Sequence, residues 1–511
     1  MSRVSIPSLG SVGLIADVQP QELPDSGLSD VLNIRLRNGS AERMLGDRQV
    51  LTAPSVTPYY LQIFSTADSK YMIHAGTGAV FADDGATRTD ITGPALTGSI
   101  DNRWSGGTLN GVFVMNNGVD KPMYWGGNVA TDLATLTGWG ATWKCATLRP
   151  HKNYLVALDM TKGTTRYPTM VKWSAAADPG TIPASWDEAD PTIDAGEVDL
   201  ADSPGVLIDA MPLGDALIIY KESSMYAMSY IGGQYIWQFS KLPGESGMLA
   251  RGCGCLVPMG HLVLTKGDVV VHAGQGAQSI VNDKVRKWLF DNMSATYFSR
   301  AFVVSNPAYS EAWICFPSGI NSSCDKALVW NWSDNTFSVR ELSGVTYGCS
   351  GMFPITDDNT WASDSAGWDS DATTWSQSDL SSAQSRVFLC SNTPMIMASD
   401  IGSDFHGAGF TAKVERVGMA LGAPDRVKVL RAIFPRIDGA TGQTVYVQAG
   451  GAMDVEGPYA WSDPVPYVIG STYRADTFAS GRFMAWRIYS TGSFIWRIRS
   501  IDIDAAPMGI Y

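Results

Sequence analysis

The chain has 511 residues, 45% of them hydrophobic, with 52 glycines, 26 prolines and 10% aromatics. That turn-rich composition suits an all-β protein, of about three domains or one large β domain with an appendage. Fifty acidic against 37 basic residues leave a net charge of −13, which argues against a protein that works by gripping nucleic-acid phosphates.

The opening, MSRVSIPSLGSVGLIADVQ, has no apolar signal core, and no run approaches the roughly 18 apolar residues of a membrane-spanning helix. Synthesis in the cytoplasm without signal-directed secretion is the expectation, so the N-x-Ser triplets at Asn292, Asn321 and Asn331 are chance matches.

Residues 1–60 read as an N-terminal arm with a hairpin. Asn38-Gly39 between two short runs predicts a two-residue turn, because both turn positions need φ > 0. In the arm before it Ile34 and Leu36 share one face, and Arg35 and Arg37 the other. Pro20 and Pro24 predict an extended lead-in, of the kind that crosses to a neighbouring element or subunit.

Residues 61–385 carry a repeated strand pair: an apolar run, a polar turn, then a second run rich in Val, Tyr or Trp. Copies centre near Tyr71, Val112, Tyr154, Ala216, Leu262 and Trp313. They start roughly 40 to 55 residues apart, the period of four-stranded propeller blades. A β-propeller-like ring of roughly six to seven blades is predicted. NDKVRKWLFDNM, from Asn282, is the best helical stretch, with Val285, Trp288 and Leu289 at helical spacing.

Trp361, Trp368 and Trp375 recur every seven residues, each followed by an aspartate: Asp364, Asp371 and Asp379. Ser, Gly and Thr between them argue against a coiled coil. The indoles are expected to anchor an insertion on its blade, with subunit contact and glycan stacking as the other uses.

Residues 386–511 alternate through VKVLRAIFPRI, TVYVQAG, GRFMAWRIYS and SFIWRIRSIDIDAAPMGIY. They predict a C-terminal β module or ring-closing strands. Beside Trp486 and Trp496, Arg487, Arg497 and Arg499 fall on strands. Arg497 and Arg499 share a face and are expected to meet Asp502 and Asp504 in a charge ladder, or else to form a patch that reads an acidic partner.

Chemistry is sparse. His74, His151, His261, His272 and His406 lie in no nucleophile signature. Cys145, Cys253, Cys255, Cys315, Cys324, Cys349 and Cys390 are odd in number and scattered, as expected of reduced, mostly buried thiols. Cys253, Cys255 and His261 lack the fourth ligand of a zinc site. Gly274-Gln275-Gly276 is a turn rather than a phosphate loop, and the Asp-rich run from Asp357 to Asp371 lacks the order of an EF-hand, its oxygen ligands leaving a loop-bracing Ca²⁺ as the lesser reading. A propeller glycosidase would need two converging carboxylates, for which Asp83, Asp84, Glu222, Glu245, Asp268 and Asp476 are candidates. No catalytic, cofactor-binding or metal residue is assigned, no cofactor is expected, and a non-enzymatic protein is the expectation.

The ordered set Gly13, Asp17, Pro20, Leu23, Pro24, Asp30, Asn33, Arg35, Arg37, Gly39, Ala41, Glu42 and Gly46 resembles the opening of the tail nozzle proteins of short-tailed bacteriophages, also called tail tubular protein B. LIIYKESSMYAMSY, GDVVVHAG, EAWICFP, LVWNWSDNTFSVREL, the Trp-Asp repeat and the close GRFMAWRI … WRIRSIDIDAAPMG are similar to the same group. The resemblance covers most of the chain, which is shorter than the longer members. It implies a structural virion protein of the phage tail. Such a protein would form a ring, a hexamer by analogy, below the adaptor protein. Genomic DNA would pass through the lumen without sequence-specific binding, and tail fibres are further possible partners. An acidic or neutral wall would keep DNA from sticking, over a reach of about 8 to 10 Å. The alternative is a stand-alone glycan- or receptor-binding propeller.

Overall fold

The repeats carry near-continuous apolar runs because their central strands pack both faces between neighbouring sheets. The computed structural model describes residues 2–233, 235–355 and 384–510. The first repeat becomes the four-stranded antiparallel sheet Tyr60–Ser65, Lys70–Ala75, Val80–Asp83 and Arg88–Asp90, paired in chain order. Four more sheets of the same plan follow over residues 105–135, 143–199, 207–241 and 254–279.

The sixth sheet uses Phe302–Asn306, Glu311–Phe316 and Cys324–Asn331. Its outer strand is the first half of Thr336–Gly351, whose second half pairs with Arg386–Ser391 and becomes the inner strand of a seventh sheet. Between the halves Gly344 has a φ of 63°, a left-handed position that glycine occupies without strain. Met395–Ser399 comes next, and the N-terminal strand Asp47–Gln49 pairs outside it. Among the described residues the propeller thus has seven blades, runs past the expected limit of 385 to Ser399, and borrows its last strand from the start of the chain.

Among the described residues, apolar clusters run round the circuit between blades, and one continues into the rest of the chain. Phe64, Phe113 and Trp125 pack the first blade on the second, with ring centroids 5.6 and 5.8 Å from Phe64. Leu148, Trp139 and Trp186 join the second and third, and Tyr154, Leu217 and Trp237 the third and fourth. A larger cluster spans Tyr220, Leu262 and Ile314 of the fourth to sixth blades. Phe302, Trp313 and Leu389 join the sixth and seventh. Leu61, Phe388 and Ile396 close the seventh on the first. Radial packing of this kind leaves only short sheet edges free.

The rest of the chain is a β-sandwich. One layer orders Ala475–Gly481, Arg426–Gly439, Trp496–Ile510, Ser40–Arg43 and Ile34–Arg37, with Ser2–Ile6 also on Trp496–Ile510. The other orders Asp30–Leu32, Ala412–Met419, Phe483–Ser490 and Thr444–Ala452. Ile433, Ile501, Ile503, Val447, Trp486 and Ile488 are buried in this region.

The N-terminal segment is woven into both bodies rather than standing free. Asn38 and Gly39 take φ values of 50° and 70°, with Arg37 opposite Ser40, so the hairpin forms as the sequence predicts. The extended lead-in is interrupted by a 3-10 turn at Pro20–Glu22. Arg416 holds this turn by donating to the carbonyls of Pro20 and Leu23 at 2.7 and 3.0 Å. Asp17 accepts the N–H groups of Lys287 and Trp288 at 2.8 and 2.9 Å, capping the helix Arg286–Asn292 from a distant part of the chain.

Candidate functional site

The inner strands of the seven blades converge on an axis filled by side chains. Arg149, on the inner strand of the third blade, donates from Nε and Nη2 to both oxygens of Asp209 on the fourth, at 2.7 and 2.8 Å. Its Nη1 donates to the Gly106 carbonyl of the second blade at 3.0 Å. Asp209 also accepts the Gly252 N–H, beside the fifth blade, at 3.0 Å. Tyr60 of the first blade and Phe302 of the sixth each lie 5.5 Å from the Tyr347 ring of the seventh. Burial alone would raise the Asp209 carboxyl, yet the Arg149 guanidinium holds it below its ordinary value. Every blade contributes to this plug.

The sequence candidates for catalysis scatter. Asp83 is buried against Arg88 at 3.1 Å, and Asp84 caps its own turn through the N–H groups of Ala86 and Thr87. Glu222 pairs with Lys266 at 3.1 Å. Asp268 accepts from the Ser279 hydroxyl at 2.7 Å. Glu245 is exposed in the connection after the fourth blade, and Asp476 pairs with Arg474 on the sandwich. All but Glu245 are engaged in their own turn, strand or ion pair, and among the described residues the partners of these carboxylates lie on separate elements. Among the described residues no cluster of three or more His, Cys, Asp or Glu is placed to hold a metal ion. Trp361, Trp368, Trp375 and the aspartates from Asp357 to Asp379 lie outside the described residues.

Two histidines form a hydrogen-bonded relay with assignable tautomers. Gly274 N–H donates to His272 Nδ1 at 3.3 Å, and His272 Nε2–H to the Tyr220 hydroxyl at 2.8 Å. That hydroxyl donates to His261 Nδ1 at 2.6 Å, and His261 Nε2–H to the Pro212 carbonyl at 2.9 Å. Both rings are therefore neutral. Burial lowers both, His272 to about 4. His74 stacks on Phe81 at 5.3 Å, and neither ring nitrogen has a hydrogen-bond partner among the described residues. All seven cysteines are free thiols, five of them buried.

Two features differ from expectation. Arg497 and Arg499 meet Asp438, at 3.7 and 3.2 Å, rather than Asp502 and Asp504. Arg426–Gly439 pairs with Trp496–Ile510 so that Asp438 falls opposite Arg497. Second, Arg35 belongs to a buried ionic network that sequence reasoning missed. It donates to Glu311 at 2.6 and 3.0 Å and to Asp400 at 2.9 Å, while Arg340 reaches Asp47 at 2.6 Å.

Large apolar side chains left exposed include Ile320 at 95%, Tyr473 at 79% and Tyr235 at 73%. The chain is similar to the WD40 β-propeller domain of Doa1, 8% identical over 70% of this chain and 97% of that one, at a TM-score of 0.37. It is similar also to the Cps50 (Swd1) β-propeller domain of Myceliophteria thermophila, 9% identical over 70% of this chain and 99% of that one, at a TM-score of 0.39. No protein-family model and no curated protein matches the chain.

Proposed function

We propose that this protein is a structural subunit of a short-tailed phage tail nozzle, assembling as a ring below the adaptor and enclosing the path of DNA ejection. The observation that carries the proposal is the stitching of two β bodies by one segment. Residues 30–49 supply strands to both sandwich layers and to the seventh blade, which makes the chain a stiff block. The resemblance of the N-terminal motif to the nozzle proteins supports the same assignment. With the propeller axis filled, DNA would pass between subunits rather than through a blade ring. Head-to-tail contacts around one axis would close that tube.

Sedimentation of the purified full chain, together with negative-stain imaging, tests this. Closed rings of several copies are expected, with an acidic or neutral inner wall. A stable monomer that binds glycans would favour the receptor-binding alternative, and a strongly basic lumen would contradict the proposed passage of DNA.

A further inference from the structure

At one end of the hub the connections entering the inner strands bring guanidinium groups together. Arg103 precedes the inner strand Ser105–Leu109, and Arg251 precedes Gly254–Val257. Each is tethered along one edge only. Arg251 Nη1 donates to the Arg103 carbonyl, and Arg103 Nη1 donates to the Ser299 and Ala301 carbonyls at 2.9 and 2.6 Å. Among the described residues, Arg251 Nε and Arg103 Nη2 are enclosed without a partner. Arg251 Nη2 and Arg103 Nε make no protein hydrogen bond there either, and are not enclosed. Between the two side chains lies a cavity of about 250 Å³, which Asn117, Ala146 and Ser299 also line.

The charge around this cavity does not balance. The buried Asp209 is committed to Arg149 through both oxygens, and Asp101, which also lines the cavity, is paired with Arg300 at 2.7 Å. Asp120 is held by Thr97 and Asn117. Asp209 still attracts Arg251 at longer range, but among the described residues neither Arg103 nor Arg251 is ion-paired with a carboxylate of its own, in a protein whose net charge is −13. Burial lowers Arg251 to about 10, with Asp209 opposing the shift and Arg149 and Arg103 adding to it. Both side chains are half-buried, and positive charge drawn partly out of water without its own counterion is costly unless something neutralises it.

We propose that the cavity is an anion site, in which Arg103 and Arg251 clamp one oxyanion of carboxylate or phosphate size. A planar guanidinium edge matches either group. The volume lies below the roughly 300 to 1,000 Å³ of drug-sized ligand sites, so a single small anion or one acidic side chain of a neighbouring protein fits. The proposal stands whether or not the protein is a nozzle subunit.

Calorimetric titration and thermal melting of the full chain test it, at constant ionic strength, with inorganic phosphate in one arm and a capped glutamyl peptide in the other. One or both should bind and raise the melting temperature above a chloride control. Tighter phosphate binding would identify a free anion as occupant, and tighter peptide binding an acidic side chain. Arg251→Gln and Arg103→Gln should each weaken binding by about tenfold or more, and Arg431→Gln on the sandwich surface should not. Should a hub variant fail to fold, the wild-type melting shift still decides the matter. No shift with either ligand, or affinity unchanged in both folded hub variants, overturns the proposal.

Discussion

Arg35 lies on the face of its strand that alternation assigns to solvent, yet it is 3% exposed. Its guanidinium sits over the Tyr309 ring at 3.5 Å as well as pairing with Glu311 and Asp400. Removing one member of a buried ionic set strands the others. Arg35→Met is expected to lower unfolding stability by about 3 to 5 kcal/mol, measured by urea titration. Glu311→Met combined with Arg35→Met should cost less than the two single losses added together, because Glu311 is then not left without its cation. Strict additivity would show that the pair is not coupled. The hairpin around Asn38-Gly39 was legible from two residues. The network was not, because Glu311 and Asp400 lie 276 and 365 positions away.

At the level of elements, the seven-residue helix Arg286–Asn292 has no side-chain cap at Val285. Asp17 supplies that cap from the N-terminal arm. Asp17→Ala should cost about 1 kcal/mol, again read by urea titration, whereas Asp17→Asn should retain part of the bond. Deleting residues 1–49 is a harsher test. It removes the outer strand of the seventh blade and strands from both sandwich layers. The truncated chain is expected to lose its cooperative thermal transition, followed by circular dichroism. A sharp transition at the wild-type temperature would show that the arm decorates a body already closed. Blade periodicity was readable because each sheet is local in sequence. The closure of the seventh blade was not, because its partner strands are separated by more than 300 residues.

For the whole molecule, acid should unfold the protein before its carboxylates titrate. Four histidines are buried. Burial lowers His74 to about 3, and His151 and His272 to about 4, with His261 lowered as well. The unfolded chain takes up these protons near pH 6.5 while the folded chain does not. Their stabilising contribution is therefore complete above about pH 6.5 and is lost as pH falls toward 4, at roughly 1.4 kcal/mol per pH unit for each group at most. Asp209 and Asp400, held low against burial by Arg149 and Arg35 respectively, add losses in the same direction below about pH 4. Asp47 and Asp83, which burial raises, act oppositely but are fewer than the histidines. Urea midpoints should fall steadily from pH 7 to 4.5, and a flat profile would contradict the neutral-histidine assignment. His261→Gln, which retains a donor and an acceptor, should flatten part of the slope.

Local information settled much of this protein. Strand period, turn chemistry and the spacing of apolar pairs specify all-β blades, because each depends on residues within about 50 positions. Tertiary structure decided the rest. It set the number of blades, wove the N-terminal segment through both bodies, filled the hub with Arg149, Asp209 and Tyr347, and turned Arg497 and Arg499 toward Asp438. Those outcomes depend on which distant chains the closing of the ring brings into contact, and no local pattern encodes that.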